Sequence, residues 1–160
     1  MKVAVGVDHA GLPLKGTVLE AIRAAGHEPI DLGTDSPERV DYPDFAKKVG
    51  EAIQSGQAER GIAICGSGIG VCIAANKMRG IYASVAHDVY SAAQGVEHDN
   101  MNVLCLGGRI IGPEIAAQVT QAFLNARFST EPRFRWRVEK IKAIEAQSLS
   151  TVEGEKDHTK

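Results

Sequence analysis

Aromatic residues are scarce in this 160-residue chain, at 5% of the total, and cysteine is scarcer, with three, at 65, 72 and 105. An odd number of thiols with no Cys-x-x-Cys pair excludes both a disulfide framework and a zinc ribbon, and reduced thiols point to the cytoplasm. Basic charge is not in surplus, the formal net charge being -2. A nucleic-acid coat and an anionic membrane surface are therefore not the expected partners. No apolar run approaches the length of a membrane span, and Met1-Lys2-Val3-Ala4-Val5-Gly6-Val7-Asp8 meets an aspartate before a secretory apolar region could form. The five histidines show no His-x-x-x-His or His-x-x-Glu-His spacing, so no metal site is expected. What remains is a chain with 44% apolar residues, enough at this length to bury the core of one domain, assigned to residues 1–149.

Short β-branched or apolar runs stand at Val3 to Val7, Pro29 to Leu32, Ile62 to Ile64, Ile81 to Val85 and Val103 to Leu106. Between them lie helix-length segments whose apolar residues recur at helical spacing: Leu14, Val18, Leu19, Ile22 and Ala25, then Phe45, Val49, Ala52 and Ile53, then Ile115, Val119, Ala122 and Phe123. Gly26 is placed to stop the first of these helices. Continuous apolar strands alternating with helices predict an α/β fold, a single open doubly wound sheet of five parallel strands covered on both faces. A further helix carries Phe134, Val138, Ile141 and Ile144 on one stripe, with Arg133 and Arg137 four residues apart on another. Such a helix packs on its own sheet or docks on a second subunit. The polar stretch 150–160 is expected to be a disordered tail.

Ligands of doubly wound sheets sit at the carboxyl ends of strands, which directs attention to Asp8-His9, Cys65 to Gly70, His87-Asp88 and Gly107-Gly108-Arg109. In Ile64-Cys65-Gly66-Ser67-Gly68-Ile69-Gly70 a thiol adjoins a glycine loop that opens a helix, where clustered backbone N–H groups favour a thiolate and cradle anionic oxygen. A dinucleotide fingerprint would follow the first strand; here the glycines follow the third, and Val71 stands where its last glycine belongs, although Asp88 is placed to mimic the ribose-binding acid. Gly11 to Thr17 lacks the lysine of a P-loop. Cys72 and Cys105 lie inside apolar segments and read as core, and Ser67 reads as a helix cap, an oxygen-binding group, or both. Read without other information, His98-Asp99-Asn100 is a polar loop at a helix end, and Arg133 and Arg137 a solvated basic face or a phosphate grip.

Taken in order, Asp8-His9-Ala10-Gly11, Asp41-Tyr42-Pro43, the Cys65 loop, Ala74-Ala75-Asn76-Lys77, Glu97-His98, Asn102-Val103-Leu104, and Arg133 with Arg137 closely resemble the type B ribose-5-phosphate isomerases. That family also contains allose- and galactose-6-phosphate isomerases, and the likeness runs from about Lys2 to Glu145. The resemblance implies a homodimer or dimer of dimers with shared sites and no cofactor or metal. It implies Cys65 as the base that shuttles a proton between C1 and C2, with Ser67 and the amides of Gly66, Gly68, Ile69 and Gly70 holding the enediolate. His98 would open the furanose ring beside Asp8 and Tyr42, and Asp99 and Asn100 would meet sugar hydroxyls. His9, Arg109, Arg133 and Arg137 would grip the phosphate, the last two donated by the neighbouring subunit. The implied reaction interconverts D-ribose 5-phosphate and D-ribulose 5-phosphate; another phosphorylated aldose, of four or six carbons, and a sugar-phosphate-binding module without catalysis are the alternatives. Three departures bear on substrate choice: Phe134 where many relatives carry histidine, Asp99-Asn100 in place of Asn-Asp, and Val71 where some relatives place a glutamate base.

Overall fold

The computed structural model describes residues 1–155. Five strands, β1 (Lys2–Val7), β2 (Glu28–Asp31), β3 (Arg60–Cys65), β4 (Ala83–Val85) and β5 (Val103–Gly107), form one sheet in the order β2-β1-β3-β5-β4, with every pairing parallel. The helices are α1 (Leu12–Ala24), α2 (Tyr42–Gln54), α3 (Ile69–Ala75), α4 (Val89–Asp99), α5 (Pro113–Asn125) and α6 (Pro132–Glu155). Strand order reverses between β1 and β3, which makes the crevice beyond their carboxyl ends the natural ligand position. The doubly wound sheet expected from sequence is present.

Both faces of the sheet are covered, but by side chains of unequal size. Val3, Val5, Val7, Ile62, Ile64, Leu104 and Leu106 point into one core with Val18, Ile22, Val96, Val119 and Phe123 from α1, α4 and α5. Their neighbours Ala4, Ala63, Cys65, Val103 and Cys105 point the other way, against Ala46, Val49, Val71 and Ala75 of α2 and α3. Small residues on that second face let α2 lie directly on the sheet. A Cβ on Gly6 would stand 2.6 Å from the Phe45 carbonyl oxygen, so the helix could not approach if that position carried a side chain. Cys65 therefore ends β3 on the tightly covered face, 5% exposed.

Three expectations shift. Ile81 is buried but belongs to the turn before β4, which begins at Ala83, because Asn102 ties that turn down by accepting the Tyr82 N–H and donating to the Gly80 carbonyl, each at 2.8 Å. Ile115 faces outward, 41% exposed, and the buried stripe of α5 runs instead through Ala116, Val119, Thr120, Phe123 and Leu124. Helix α6 continues to Glu155, past the start of the expected tail at 150; residues 156–160 of that tail lie outside the described residues. Gly26 does end α1, at φ 78°, where a side chain would be strained.

Packing divides the chain into two compact units, Met1–Phe128 and a second that begins at Ser129. The first holds the sheet and α1 to α5. In the second, α6 carries the Arg133 and Arg137 guanidiniums over the Phe134 ring, 4.5 and 5.8 Å from its centre.

Candidate active site

Three loops meet beyond the carboxyl ends of β1, β3 and β5, and glycines let them touch. A Cβ on Gly107 would lie 2.7 Å from the Ser67 carbonyl carbon, and one on Gly108 2.5 Å from the Ala10 oxygen. The Gly108 N–H donates to the Cys65 carbonyl at 2.8 Å and the Arg109 N–H to the Gly66 carbonyl at 3.0 Å, so the β5 loop is stapled along the β3 loop. Gly107 N–H also donates to His87 Nε2 at 2.9 Å, and burial holds the His87 ring below its ordinary pKa despite nearby Asp88. His87 is thus a neutral acceptor that props the loop from behind.

The meeting point opens into a cleft of about 400 Å³. Asp8, His9 and Ala10 line it from β1, Cys65, Gly66, Ser67 and Gly70 from β3, and Arg109 and Ile110 from β5, while Arg39 and Tyr42 enter from the segment around the start of α2. Asp8 is 4% exposed, and one carboxylate oxygen accepts the N–H groups of Ala10 and Gly11 at 2.9 and 2.8 Å, which leaves its second oxygen for a ligand. His9 Nδ1 accepts the Val40 N–H at 3.3 Å, so the neutral ring carries its proton on Nε2. Tyr42 lies over Gly70, where a Cβ would come within 2.7 Å of its ring.

Cys65 Sγ accepts the Gly68 N–H at 3.2 Å. Gly68 reaches that position at φ 81°, a conformation open to glycine. Ser67 Oγ accepts the Ile69 N–H at 3.2 Å, but the N-cap of α3 is Gly68 and no side chain caps it, so the expected cap is not formed; the Ser67 hydroxyl proton remains available. The Arg39 and Arg109 guanidiniums have no carboxylate within ion-pair distance among the described residues. Two uncompensated guanidiniums beside a thiol make this an anion-binding cleft with a potential base.

Several expected residues lie elsewhere. Ile69 is 53% exposed and does not line the cleft, and Gly68 serves it only through the N–H on Cys65. His98 and Asp99 close α4, and Asn100 caps it at φ 55°; none of the three lines the cleft of its own chain, and His98 Nδ1 is 2.8 Å from Gln94 Nε2. Every lining residue of the cleft belongs to the first unit, and Arg133 and Arg137 belong to the second. Asp88, the rival ribose-binding acid, caps α4 by accepting the Ser91 N–H at 2.7 Å, which lowers its pKa.

Sequence reasoning missed Arg39. It follows no strand, and its place depends on a tertiary clamp: buried Lys15 reaches out of α1 to Asp31 and Asp35, at 2.8 and 2.6 Å, and to the Thr34 carbonyl at 3.0 Å. The clamp and the Val40 bond to His9 lay the segment 31–40 along the cleft. Cys72, read as core, does pack against the core that holds Cys65 and Cys105, but at its edge. Its thiol is half-buried, accepts from Asn76 Nδ2 at 3.6 Å, and is lowered to about 7, chiefly by a hydrogen bond with Cys105 that outweighs burial. Cys105, fully buried, is pushed up by the same contact and by burial. Asn76 then links α3 to β4 by two bonds with Ala83, at 2.8 and 2.9 Å.

No described helix is long and apolar enough to cross a membrane. The family model described as Ribose/Galactose Isomerase matches residues 3–141. Ribose-5-phosphate isomerase B of Escherichia coli is 44% identical over 144 residues, covering 90% of this chain and 96% of that protein. D-erythrulose-4-phosphate isomerase of Pectobacterium atrosepticum is 41% identical over 129 residues, 80% of this chain and 85% of its own. The solved structure of Trypanosoma brucei type B ribose 5-phosphate isomerase superposes with a TM-score of 0.87 at 45% identity, covering 89% of this chain and 97% of that one.

Proposed function

The chain belongs to the ribose/galactose isomerase family, and we propose that it interconverts D-ribose 5-phosphate and D-ribulose 5-phosphate through an enediolate, with Cys65 as the base. Sugar-phosphate isomerases of this kind are cofactor-independent, because the hydrogen that moves is carried as a proton between two carbons of one substrate. The observation that carries the reading is the Cys65 sulfur, held by the Gly68 N–H in a cleft that also presents two uncompensated guanidiniums.

Starting from the aldose, the Cys65 thiolate takes the proton from C2, and the electron pair of that bond forms the C1–C2 double bond while charge moves onto O1. The thiol then returns a proton to C1 as the hydroxyl proton on O2 is transferred to O1, leaving the ketone at C2. Ser67 and the loop amides stabilise the oxygens that carry the charge, donors that matter more to the enediolate than to the neutral sugar. Arg109, His9 and Arg39 hold the phosphate, which fixes the reacting carbons against the sulfur.

His98, Asp99 and Asn100, with Arg133 and Arg137, complete the site in a homodimer or a dimer of dimers, where a second copy brings them to the cleft. His98 opens the furanose ring, and the two arginines add to the phosphate grip. Exposed Ile69 and Ile73 on α3 and Tyr90 on α4 support a covering copy of the chain. Three free cysteines agree with a reducing, cytoplasmic setting.

A tetrose phosphate is the second reading, favoured by the Pectobacterium relative, which matches nearly as well as the ribose-5-phosphate isomerases. Turnover measured side by side on ribose 5-phosphate, erythrulose 4-phosphate and allose 6-phosphate separates the substrates. The highest kcat/KM is expected with the pentose, and negligible pentose turnover beside a good rate on another sugar would overturn the assignment.

A further inference from the structure

At the amino end of the central strands, opposite the reaction cleft, a second concavity of about 410 Å³ is lined by Met1, His27, Glu59, Arg60 and Arg127. Two of its guanidiniums are held side by side. Arg60 donates through Nη1 to the Phe123 carbonyl and, at 3.4 Å, to that of Leu124, and through Nη2 to that of Ala126 at 2.8 Å. Arg127 Nη1 donates to the same Leu124 and Ala126 carbonyls, at 2.8 and 3.0 Å. Shared acceptors at the end of α5 therefore pin two like charges against each other, and Arg60 is locked further over the Phe123 ring, 5.2 Å from its centre.

The carbonyls at the α5 terminus offset only part of this charge. Neither guanidinium has a carboxylate within ion-pair distance among the described residues, although Glu59 stands on the rim. Among the described residues, Arg127 Nε and Nη2 and Arg60 Nε make no hydrogen bond. His27 registers the surplus: burial first, then the Met1 amine at 3.2 Å, Arg127 and Arg60 lower its pKa, against Glu59 alone. Like charges held rigidly at a concave surface, with donors to spare, are what a site for a multivalent anion requires.

We propose that this concavity is a second ligand site, which takes a small dianion of the phosphate or dicarboxylate class straddled by Arg60 and Arg127. Its position at the opposite strand ends makes it independent of the reaction cleft. A dianion there pairs with both guanidiniums and reverses the field at the His27 ring, so anion binding raises the affinity of that imidazole for a proton.

Ring resonances of the histidines test this in the intact protein, because His27 reads this site and His9 reads the reaction cleft. Inorganic phosphate, malonate and, at matched ionic strength, chloride are titrated in turn. A saturable shift of the His27 signals with phosphate or malonate is expected, together with a rise in its titration midpoint, and whichever dianion gives it identifies the ligand class. Arg127→Gln, at an exposed position, should weaken the response by about tenfold or more while leaving the His9 response and isomerase turnover unchanged. Glu59→Gln should strengthen it severalfold, by removing the one carboxylate on the rim. A His27 shift that chloride reproduces marks an adventitious ion only and overturns the proposal, as does a phosphate and malonate response that neither substitution alters. Failure of the isomerase reading would appear at turnover and leave the His27 measurement standing.

Discussion

The backbone N–H of Gly68 points at Cys65 Sγ across 3.2 Å, within one tight loop between β3 and α3. The bond aims a donor at the atom that, in the proposed mechanism, carries negative charge between proton transfers. It also makes the sulfur part of the loop geometry, so chemistry and loop conformation stand or fall together.

Replacement of that sulfur isolates its contribution. Cys65→Ala should lower kcat by roughly 10³-fold or more, the scale of a general base with positioning lost, and leave the dissociation constant of a phosphate-bearing inhibitor within a few-fold of wild type. Steady-state kinetics and calorimetry check both; a retained rate removes the thiol from the mechanism.

Gly68→Ala tests the donor. At φ 81° an alanine is strained, and the expected cost is about 1–2 kcal/mol of stability, measured by urea unfolding. A drop in kcat larger than the change in KM should accompany it, since the N–H serves the sulfur more than the bound sugar.

Arg39 lines the cleft without a carboxylate partner. Loss of one charged hydrogen bond to a phosphate is worth about 1.5–3 kcal/mol, so Arg39→Gln should raise KM about tenfold or more while kcat changes little. An unaltered KM would show that the side chain does not reach the substrate.

Lys15 is 6% exposed and clamps Asp31 and Asp35. Burial by itself would lower its pKa, but the hydrogen bonds and charges of the two aspartates outweigh burial and raise it. Folding therefore gains from the protonated clamp at all pH values below the ordinary lysine value of 10.5, and the gain disappears as pH rises through the higher folded value. Lys15→Met should flatten the alkaline limb of the stability profile, followed by urea midpoints from pH 8 to 12. It should also raise KM, by releasing the segment that carries Arg39.

Cys72 has its thiol lowered to about 7, with Cys105 as the main cause. Its thiolate predominates above that value, so alkylation of the Cys72 peptide followed by mass spectrometry should accelerate through a midpoint near 7. In Cys105→Ala the midpoint should move up toward the ordinary thiol value. A midpoint unmoved by that substitution would mean that Asn76 and the backbone set the acidity instead.

Much of the frame was legible in residue order. The apolar runs at Val3, Ile62 and Val103 and the glycine stop at Gly26 depend on local chemistry, and the structure keeps them. The turn at Ile81 was not, because Asn102, distant in sequence, decides where β4 begins. The cysteines divide the same way. Their spacing excluded a disulfide framework, but the contact of Cys72 with Cys105 arises where α3 crosses β5 and leaves no mark in either segment.

By itself the sequence determined the layered parallel sheet, the loop that presents Cys65, and Asp8, His9 and Arg109 as residues at the strand ends, because hydrophobic period, glycine conformation and strand-end position are properties of neighbouring residues; Tyr42 entered only through the family resemblance. Only the tertiary structure decided that Arg39 joins the cleft, that His98 stays out of it within one chain, and that Arg60 and Arg127 stand together at the opposite end. Those placements rest on contacts between residues far apart in the chain: a buried lysine clamping a loop, and one helix terminus binding two arginines.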